Sequence, residues 1–478
     1  MVFNSSVFFF FLILIYLLYL ALSINYRWQN FLLLAASYFF YGFWDYRFLG
    51  LLFISTLNDY IAAFFIEKAH QNGQKRRAKI WLCFSLSISL GILGFFKYYN
   101  FFADNLHNLS HAFGIELNTF TLKVVLPAGI SFYTFQTMGY VIDVYRGKQK
   151  AATNFLDFSL FVSFFPQLMA GPIERAEKLL TQIQLPRKIT TAQTHDGLWL
   201  ILWGLFKKVF IADNLAPYIR WGFELDGAST SADIYLVLVV FSILFYCDFS
   251  GYSDMAVGLG KLFGVELTRN FNLPYFSENP ADFWRRWHIA LANWFRNYVY
   301  GPLKNNSRGL RRVFAAFFTM FLVGLWHGAG WNYIIWGSLW GITLILYTIF
   351  NHYAAAVLSK MDHRLNGLIR FLGIILTFHL WLIIGMFFVT PNVPDALHRL
   401  RIMFTDFSAS PYLNKDAVTV LFYSWPLVAI QFIQYFKKDI DIMSKLPPPF
   451  EICVCFGLIM LLILNGAQFD KEFIYFKF

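Results

Sequence analysis

Long apolar runs separated by short polar loops are the main pattern of this 478-residue chain. A helix needs about 20 mostly apolar residues to cross a bilayer, with a range of about 17 to 25. By that measure, the sequence predicts membrane spans at about 6–24, 29–44, 48–66, 80–98, 155–171, 196–213, 235–263, 367–389, 416–434 and 450–466. The uncharged run from Val313 to Phe350 is long enough for two more. We therefore predict an all-α polytopic membrane protein with roughly 11–13 transmembrane helices.

One apolar segment departs from this pattern. Residues 126–136 (LPAGISFYTFQ) begin with a proline and two small residues, and they contain Ser131, Thr134 and Gln136. Irregular backbone at membrane depth is tolerated only where protein or a watery cavity covers it. We therefore predict a broken or re-entrant helix that lines an internal feature. The span at 155–171 is expected to stop at Gly171-Pro172.

Composition supports the membrane assignment, because 58% of the residues are hydrophobic and only 14% are charged. Soluble domains contain about 25% charged residues. The formal net charge of +11 comes from Lys and Arg in short loops, which indicates membrane topology and not a nucleic-acid partner. The loop at 67–79 contains five basic residues and is expected to face the cytoplasm, which places the N-terminus outside. The first apolar run lacks the marks of a signal peptide and is expected to be retained.

We expect a single integral-membrane domain over residues 1–478, with peripheral helices at about 1–100, a core at about 120–350 and C-terminal helices at about 367–478. The sequence has no Gly-rich phosphate loop, no G-x-S-x-G elbow and no HExxH motif. Their absence argues against an ATP-driven pump, an α/β hydrolase and a zinc protease. The four cysteines lie in or beside apolar stretches without zinc-type spacing, so we expect neither disulfides nor a metal site.

Residues 279–300 predict a helix that lies in the membrane interface. Asn279 suits the N-cap, Pro280 the first helical position and Asp282 the first turn. At about 100° per residue, one face of this helix is aromatic and apolar and the opposite face holds Arg285 and Arg296, with His288 at its edge. The basic loop that follows is expected to be cytoplasmic, and it contains Lys304, Arg308, Arg311 and Arg312.

His327 is the strongest catalytic candidate from the residues alone. If its helix begins near Arg312, His327 lies roughly 22 Å along that helix at about 1.5 Å per residue, deep in the bilayer. A core histidine is the alternative interpretation. Intramembrane ionisable residues are costly to keep, however, and the neighbouring Gly328 and Gly330 would admit a ligand. An imidazole can accept and return a proton near neutral pH, so His327 is interpreted as a general base.

Two interpretations of His288 stay open. It could belong to a surface that contacts lipid phosphates, or it could face inward with Arg285 and Arg286. In the second case these side chains would bind a phosphate-bearing donor or orient an acyl carbonyl, and Arg296 and Lys304 would extend the patch.

Two interpretations also stay open for Asp248 and Asp254, which lie six residues apart in the 235–263 run. They could cap helix ends at a break near Gly251, or they could shape a polar tunnel. Lys207 and Lys208 interrupt the 196–213 span and are expected to snorkel if they lie near its end.

Six motifs, in this order along nearly the whole chain, resemble the membrane-bound O-acyltransferase family. They are LPAGISFYTFQ (126–136), AGPI (170–173), DFSGYSDM (248–255), NFNLPY (270–275), FWRRWH (283–288) and LWHG (325–328). The resemblance is strongest to the bacterial branch that contains alginate O-acetyltransferase and peptidoglycan O-acetyltransferase. The D-alanyl transfer protein of teichoic acid modification is a more distant relative.

The resemblance implies a ring of tilted helices around a central tunnel. His327 matches the family's active-site histidine, and His288 matches its second motif residue, which is commonly His or Asn. The further candidates for donor binding or tunnel lining are Arg285, Arg286, Trp326, Asp248, Asp254, Tyr133 and Gln136.

The resemblance also implies a reaction. An acyl group, most often acetyl, would leave cytoplasmic acetyl-CoA or another acyl thioester, with no bound cofactor. It would reach an exported polysaccharide or peptidoglycan through a periplasmic or extracellular SGNH-hydrolase-like partner, in the bacterial cytoplasmic (inner) membrane. The alternatives are D-alanyl-type transfer to teichoic acid and a non-enzymatic flippase of lipid-linked sugar. A flippase would favour inverted repeats, which the sequence does not show.

Overall fold

The computed structural model of this chain describes residues 1–115, 122, 124–224, 229–304, 309–358, 363–410 and 413–467, with only the backbone described at 224, 354–358, 363–365 and 414. The chain divides into two compact units. The first comprises Met1–Leu198 with Ala256–Thr268, and the second comprises Trp199–Met255 with Arg269–Phe478. All regular secondary structure in the described residues is helical, so the all-α prediction is confirmed.

Nine helices belong wholly to the first unit: α1 (Ser6–Ala21), α2 (Tyr26–Asp45), α3 (Leu49–Gln71), α4 (Lys75–Leu93), α5 (Tyr99–Ala112), α6 (Ile130–Tyr145), α7 (Phe155–Ser163), α8 (Phe165–Leu168) and α9 (Ala176–Ile183), as far as the chain is described. A 3₁₀ turn, Tyr46–Phe48, joins α2 to α3, and a π-helical turn, Gly94–Tyr98, joins α4 to α5.

Helices α10 (Thr191–Phe206) and α12 (Ser231–Leu262) contribute residues to both units, and α11 (Asp213–Ile219) lies between them. The second unit continues with α13 (Pro280–Arg286), α14 (Ile289–Phe295), α15 (Gly301–Lys304), α16 (Leu310–His327), α17 (Trp331–Leu358), α18 (His363–Val389), α19 (Val393–Thr405), α20 (Leu413–Lys437) and α21 (Pro448–Asn465). Its short turns are the π-helical Lys207–Ala212, Arg220–Glu224 and Arg296–Tyr300 and the 3₁₀ Pro274–Phe276 and Ile442–Lys445.

Eight helical segments in the described part of the chain are long and apolar enough to cross a membrane: Tyr26–Gln71, Lys75–Ala112, Ser231–Leu262, Leu310–His327, Trp331–Tyr353, Asn366–Val389, Lys415–Lys437 and Pro448–Asn465. The polytopic class is thus confirmed, with fewer long segments than the predicted helix count. Part of the difference arises because the predicted spans 29–44 and 48–66 are continuous within Tyr26–Gln71. The predicted span 155–171 is wrong as one helix, since α7 ends at Ser163 and α8 begins at Phe165.

Helix α6 follows the LPAG turn and is covered by protein. Of its 16 residues, 14 are buried, which fits the prediction that an irregular segment here needs protein around it. Its re-entrant path through the membrane stays a prediction.

The break near Gly251, which was one of the two interpretations of Asp248 and Asp254, is wrong, because α12 continues without interruption from Ser231 to Leu262. A Cβ atom at Gly251 would lie 2.7 Å from the carbonyl oxygen of Gly204 on α10, so this glycine permits close helix packing. Helices α16 and α17 also pack closely through glycines, because a Cβ at Gly337 would lie 2.8 Å from the Cα of Gly324.

Candidate active site

The segment around His288 is not the continuous interfacial helix that the sequence predicted. Its start is as expected, since Asn279 Oδ1 accepts a hydrogen bond from the Asp282 backbone N–H at 2.8 Å. Helix α13 then ends at Arg286, Trp287 is extended (φ −100°, ψ 127°), and His288 is left-handed (φ 44°, ψ 55°). Such a conformation costs a non-glycine residue on the order of 1–3 kcal/mol and persists only where the surroundings impose it.

The NFNLPY segment imposes this break. The backbone N–H of Asn272 donates to the carbonyl of Arg286 at 3.0 Å, and that of Ile289 donates to the carbonyl of Asn270 at 2.9 Å. The Asn270 side-chain oxygen also accepts from the backbone N–H of Ala290 at 3.1 Å. These bonds replace the ones that a continuous helix would make. The role of Asn270 was missed from the sequence, where the unusual pair of asparagines before Leu273-Pro274 was the available signal.

His288 is buried, with 1% of its surface exposed. Its ring contacts Phe249 of α12 edge-on at 4.7 Å between ring centroids, and its Nδ1 lies 3.2 Å from Asn270 Oδ1. This burial excludes the interpretation in which His288 contacts lipid phosphates. Burial also lowers the pKa of His288 to about 3, so the imidazole is neutral at physiological pH.

His327 is the last residue of α16, where Gly328 becomes extended (φ −165°, ψ 155°) and ends the helix. It is 4% exposed and enclosed by aromatic rings. Ring centroids lie 5.1 Å away at Trp336 of α17 and 5.2 Å away at Phe388 of α18. Phe388 is 61 residues from His327 in sequence, so its contribution to the site could not be predicted from the local pattern.

Trp326 connects the two histidines. Its ring centroid lies 5.9 Å from that of His288 and 4.9 Å from that of His327. The structure therefore brings His288, Trp326 and His327, all predicted site residues, into one aromatic cluster. Their catalytic roles stay predictions at this point.

Aromatic packing fixes α13 beside this cluster. Phe283 stacks on Trp340 of α17 with ring centroids 5.3 Å apart and parallel to within 2°. Trp287 packs on Trp381 of α18 at 4.6 Å. Because these rings are almost fully buried, the aromatic face of the predicted amphipathic helix is a protein contact.

A cavity of about 440 Å³ lies among α13, α14, α16 and α17. Three arginines line it, Arg285, Arg296 and Arg312, together with Trp284 and Tyr300. The rest of the lining on α16 and α17 is largely apolar, and it includes Ala316, Met320, Val323, Leu344 and Ile345. On α16 the lining ends at Val323, one helical turn before His327.

The basic residues of the predicted donor patch divide into two groups. Arg285 and Arg296 line the cavity as expected, and Arg312, expected only as part of a basic loop, joins them. Arg286 instead donates to Asp282 Oδ2 at 2.8 Å on its own helix. Lys304 lies over the Tyr300 ring at 5.9 Å, and Arg308 falls outside the described residues.

Asp248 and Asp254 pair with the two lysines that interrupt the 196–213 span. Lys208 Nζ lies 2.7 Å from Asp248 Oδ1 and 2.9 Å from Asp213 Oδ1. Lys207 Nζ lies 2.7 Å from Asp254 Oδ2. The lysine side chains are 2% and 1% exposed, so the predicted snorkelling is wrong. A buried ammonium is tolerated here because it has carboxylate partners.

Both carboxylates lie inside α12, so the interpretation of Asp248 and Asp254 as caps of a broken helix is wrong. Their place in a polar tunnel stays a prediction. Two acids and two adjacent lysines, each within an apolar stretch, were a signal for pairing that could have been read from the sequence.

Tyr133 and Gln136 both lie on α6 in the first unit. Both are buried, and Gln136 Nε2 donates to the carbonyl of Phe161 at 2.7 Å. Gln136 Oε1 accepts from Gln167 Nε2 at 3.3 Å. These contacts show a local structural role for Gln136, and the tunnel assignment of both residues stays a prediction.

The fold and the site together define a multi-pass, all-α membrane protein with two buried histidines in one aromatic cluster. The profile of the membrane-bound O-acyltransferase family matches residues 151–390 of this sequence. The chain belongs to the membrane-bound O-acyltransferase family, and it is an O-acyltransferase.

Three relatives show the range of similarity. A probable alginate O-acetylase of Pseudomonas putida is 42% identical over 347 residues, which cover 72% of this chain and 70% of the relative. A peptidoglycan O-acetyltransferase of Helicobacter pylori is 34% identical over 464 residues, or 91% of this chain and 83% of the relative. A teichoic acid D-alanyltransferase of Bacillus subtilis is 27% identical over 264 residues, or 52% and 65% respectively.

Proposed function

We propose that this enzyme moves an acetyl group from cytoplasmic acetyl-CoA across the membrane for O-acetylation of an exported polysaccharide or peptidoglycan, with His327 as the general base. The alginate O-acetylase and peptidoglycan O-acetyltransferase relatives support acetyl as the acyl group and a cell-surface glycan as the acceptor. The teichoic acid relative matches a smaller part of the chain at lower identity, so D-alanyl transfer is disfavoured.

The arginine-lined cavity is the observation that supports a coenzyme A donor. Guanidinium groups bind phosphate oxygens through planar, often bidentate hydrogen bonds, and three arginines line this cavity. From Arg312 to His327 the helix rises about 22 Å at about 1.5 Å per residue, which suits an extended pantetheine chain. The phosphates would thus stay among the arginines while the thioester reaches His327.

The reaction at His327 is a proton-coupled acyl transfer. The acceptor hydroxyl oxygen attacks the thioester carbonyl carbon, and the lone pair of an imidazole nitrogen on His327 takes the hydroxyl proton. The new C–O bond forms and the C–S bond breaks, which releases the thiolate of coenzyme A. His327 then returns the proton to that thiolate, so the imidazole is neutral again and free thiol leaves.

The rings around His327 favour a small acyl group. Trp326, Trp336 and Phe388 all have ring centroids within 5.2 Å of the His327 ring, which leaves little room for added methylenes. For two substrates that differ by one methylene, an apolar site changes the ratio of their kcat/KM values by about 10-fold or more. We expect wild-type kcat/KM for acetyl-CoA to exceed that for butyryl-CoA by at least about 10-fold, measured as free thiol release. Equal values for the two thioesters would contradict an acetyl-sized site.

Replacing Arg296 with alanine is expected to raise KM for acetyl-CoA roughly 10–100-fold with a smaller effect on kcat, because a charge-assisted contact to phosphate is lost. The steady-state kinetics of the purified enzyme measure this. Arg401→Ala provides the matched control, since Arg401 is an exposed arginine of α19 outside the cavity lining. If Arg296→Ala and Arg285→Ala both kept the wild-type KM, the cavity would not be the phosphate site.

The location follows from the same proposal. The donor side is the cytoplasm, supported by the basic loop at 67–79, and the N-terminus lies outside the bacterial cytoplasmic membrane. On the outer side the acetyl group passes to an SGNH-hydrolase-like partner, as the family resemblance implies. Transfer into the far compartment of a sealed vesicle tests this sidedness.

A further inference from the structure

The orientation of the Asn270 carboxamide is fixed by its neighbours. One terminal atom lies 3.1 Å from the backbone nitrogen of Ala290, and a backbone N–H can only donate. That atom must therefore be the oxygen. The amide nitrogen on the other side donates to Ser253 Oγ at 3.3 Å, which is consistent with this assignment.

The same oxygen determines where the proton sits on His288. Asn270 Oδ1 lies 3.2 Å from His288 Nδ1, and two acceptors cannot form a hydrogen bond with each other. Nδ1 must carry the proton and donate. A neutral imidazole has only one N–H, so Nε2 carries the lone pair.

We infer that Asn270 is a positioning residue that holds His288 in the Nδ1–H form, so that Nε2 accepts a hydrogen bond from the amide N–H nearest the thioester in the pantetheine chain. This inference rests on the proposed function, because it takes acetyl-CoA as the donor. It gives His288 the role of orienting the donor. An accepting nitrogen orients the donor, whereas stabilising an oxyanion would need an N–H at that position.

The acceptor hydroxyl is a less suitable partner for His288. That hydroxyl has one proton, and in the proposed reaction His327 takes it. The thioester carbonyl offers no proton to an accepting nitrogen. The pantetheine amide offers an N–H only two carbons from the sulfur, so a bond to it would orient the thioester without competing with the base.

Asn270→Asp tests how residue 270 controls the protonation of His288. The substitution keeps an oxygen that can accept the hydrogen bond from the Ala290 backbone N–H. The carboxylate favours the imidazolium form of His288 and raises its pKa. As pH falls through that raised pKa, Nε2 gains a proton and stops accepting. We expect KM for acetyl-CoA in Asn270→Asp, relative to the wild type at the same pH, to rise about 3–10-fold between pH 8 and pH 5, because one adjacent carboxylate raises a histidine pKa by about 1–3 units.

Other ionisable groups are present on the elements around His288, and the comparison at equal pH corrects for them. They include Asp248 and Asp254 of α12, Asp282, Arg285 and Arg286 of α13, Arg312 and His327 of α16, and Arg269 beside Asn270. Both enzymes contain all of these groups, so only the change at residue 270 distinguishes the two pH profiles. A purely structural role for Asn270 would change the activity by the same factor at every pH.

Two measurements on the wild-type protein remain informative if Asn270→Asp does not fold. In ¹⁵N-histidine-labelled protein, with the His288 signals assigned from His288→Asn, we expect a protonated Nδ1 and an unprotonated Nε2 from pH 6 to pH 8. A protonated Nε2 would overturn the inference. An acetyl-CoA analogue with an ester in place of the amide nearest the thioester should show a KM about 3–10-fold higher, and an unchanged KM would overturn the amide contact.

The outcomes separate this inference from the proposed function. Wild-type acetyl transfer combined with pH-independent behaviour of a folded Asn270→Asp would reject only the role of Asn270. Absence of acetyl transfer by the wild type would reject the proposed function, while the NMR measurement would still decide the tautomer.

Discussion

His327→Ala is expected to lower kcat for acetyl transfer by roughly 10²–10⁴-fold, the usual contribution of general acid–base catalysis. KM for acetyl-CoA should change little, because the arginine cavity that is proposed to bind the phosphates is left intact. The side chain removed is the only part of the enzyme to which the proposed reaction assigns proton transfer. Free thiol release and labelled acetyl transfer, measured on purified protein, give both constants.

The control for this variant is a second histidine of the same unit. His398 is exposed on α19, so His398→Ala should keep wild-type turnover. Because His327 is buried among aromatic rings, each variant must elute as a single species and keep its melting temperature before the rates are compared. A well-folded His327→Ala enzyme with undiminished turnover would show that His327 is not the base.

Lys208→Met is expected to lower the free energy of unfolding of the second unit by about 3–5 kcal/mol, which is the usual cost of removing one partner from a buried ion pair. The ammonium of Lys208 lies 2.7 Å from Asp248 and 2.9 Å from Asp213, and all three side chains are at most 6% exposed. The substitution keeps most of the side-chain volume and removes the Lys208 ammonium from beside two buried carboxylates. The midpoint of thermal unfolding in detergent measures the loss.

Two further variants define the origin of that effect. Arg47→Met removes the cation of a surface pair with Asp45, in which the arginine side chain is 63% exposed and the aspartate side chain 13%, and should change the midpoint little. Adding Asp248→Asn and Asp213→Asn to Lys208→Met should restore much of the lost stability, because none of the three charges of this cluster then remains. A Lys208→Met protein as stable as Arg47→Met would mean that these ion pairs do not stabilise the fold.

Features that depend on local pattern were predictable from the sequence. The apolar length of α16 and its end at Gly328 follow from hydropathy and from a glycine pair, and the structure has both. Burial of His327 followed from its place in that run. In each case the determining interactions lie within one or two turns of the residue concerned.

Features that depend on distant residues were not predictable in this way. Helical periodicity across 279–300 was satisfied, yet the helix breaks because Asn270, 18 residues before His288, supplies the competing hydrogen bonds. Similarly, lysines in an apolar span suggested snorkelling, whereas partners on α12 permit burial. Phe388 contacts His327 from α18, so this contact could not be predicted from the sequence around His327.

The central claim is transfer of an acetyl group from a thioester on one side of the membrane to an acceptor on the other. It is tested most directly in sealed proteoliposomes, with labelled acetyl-CoA confined to the side of the 67–79 loop and the glycan acceptor and its partner protein confined to the opposite side. We predict labelled ester in the acceptor compartment and an equal amount of free coenzyme A thiol in the donor compartment, both lost in His327→Ala. Movement of a lipid-linked sugar without thioester consumption would contradict the proposal and identify a flippase.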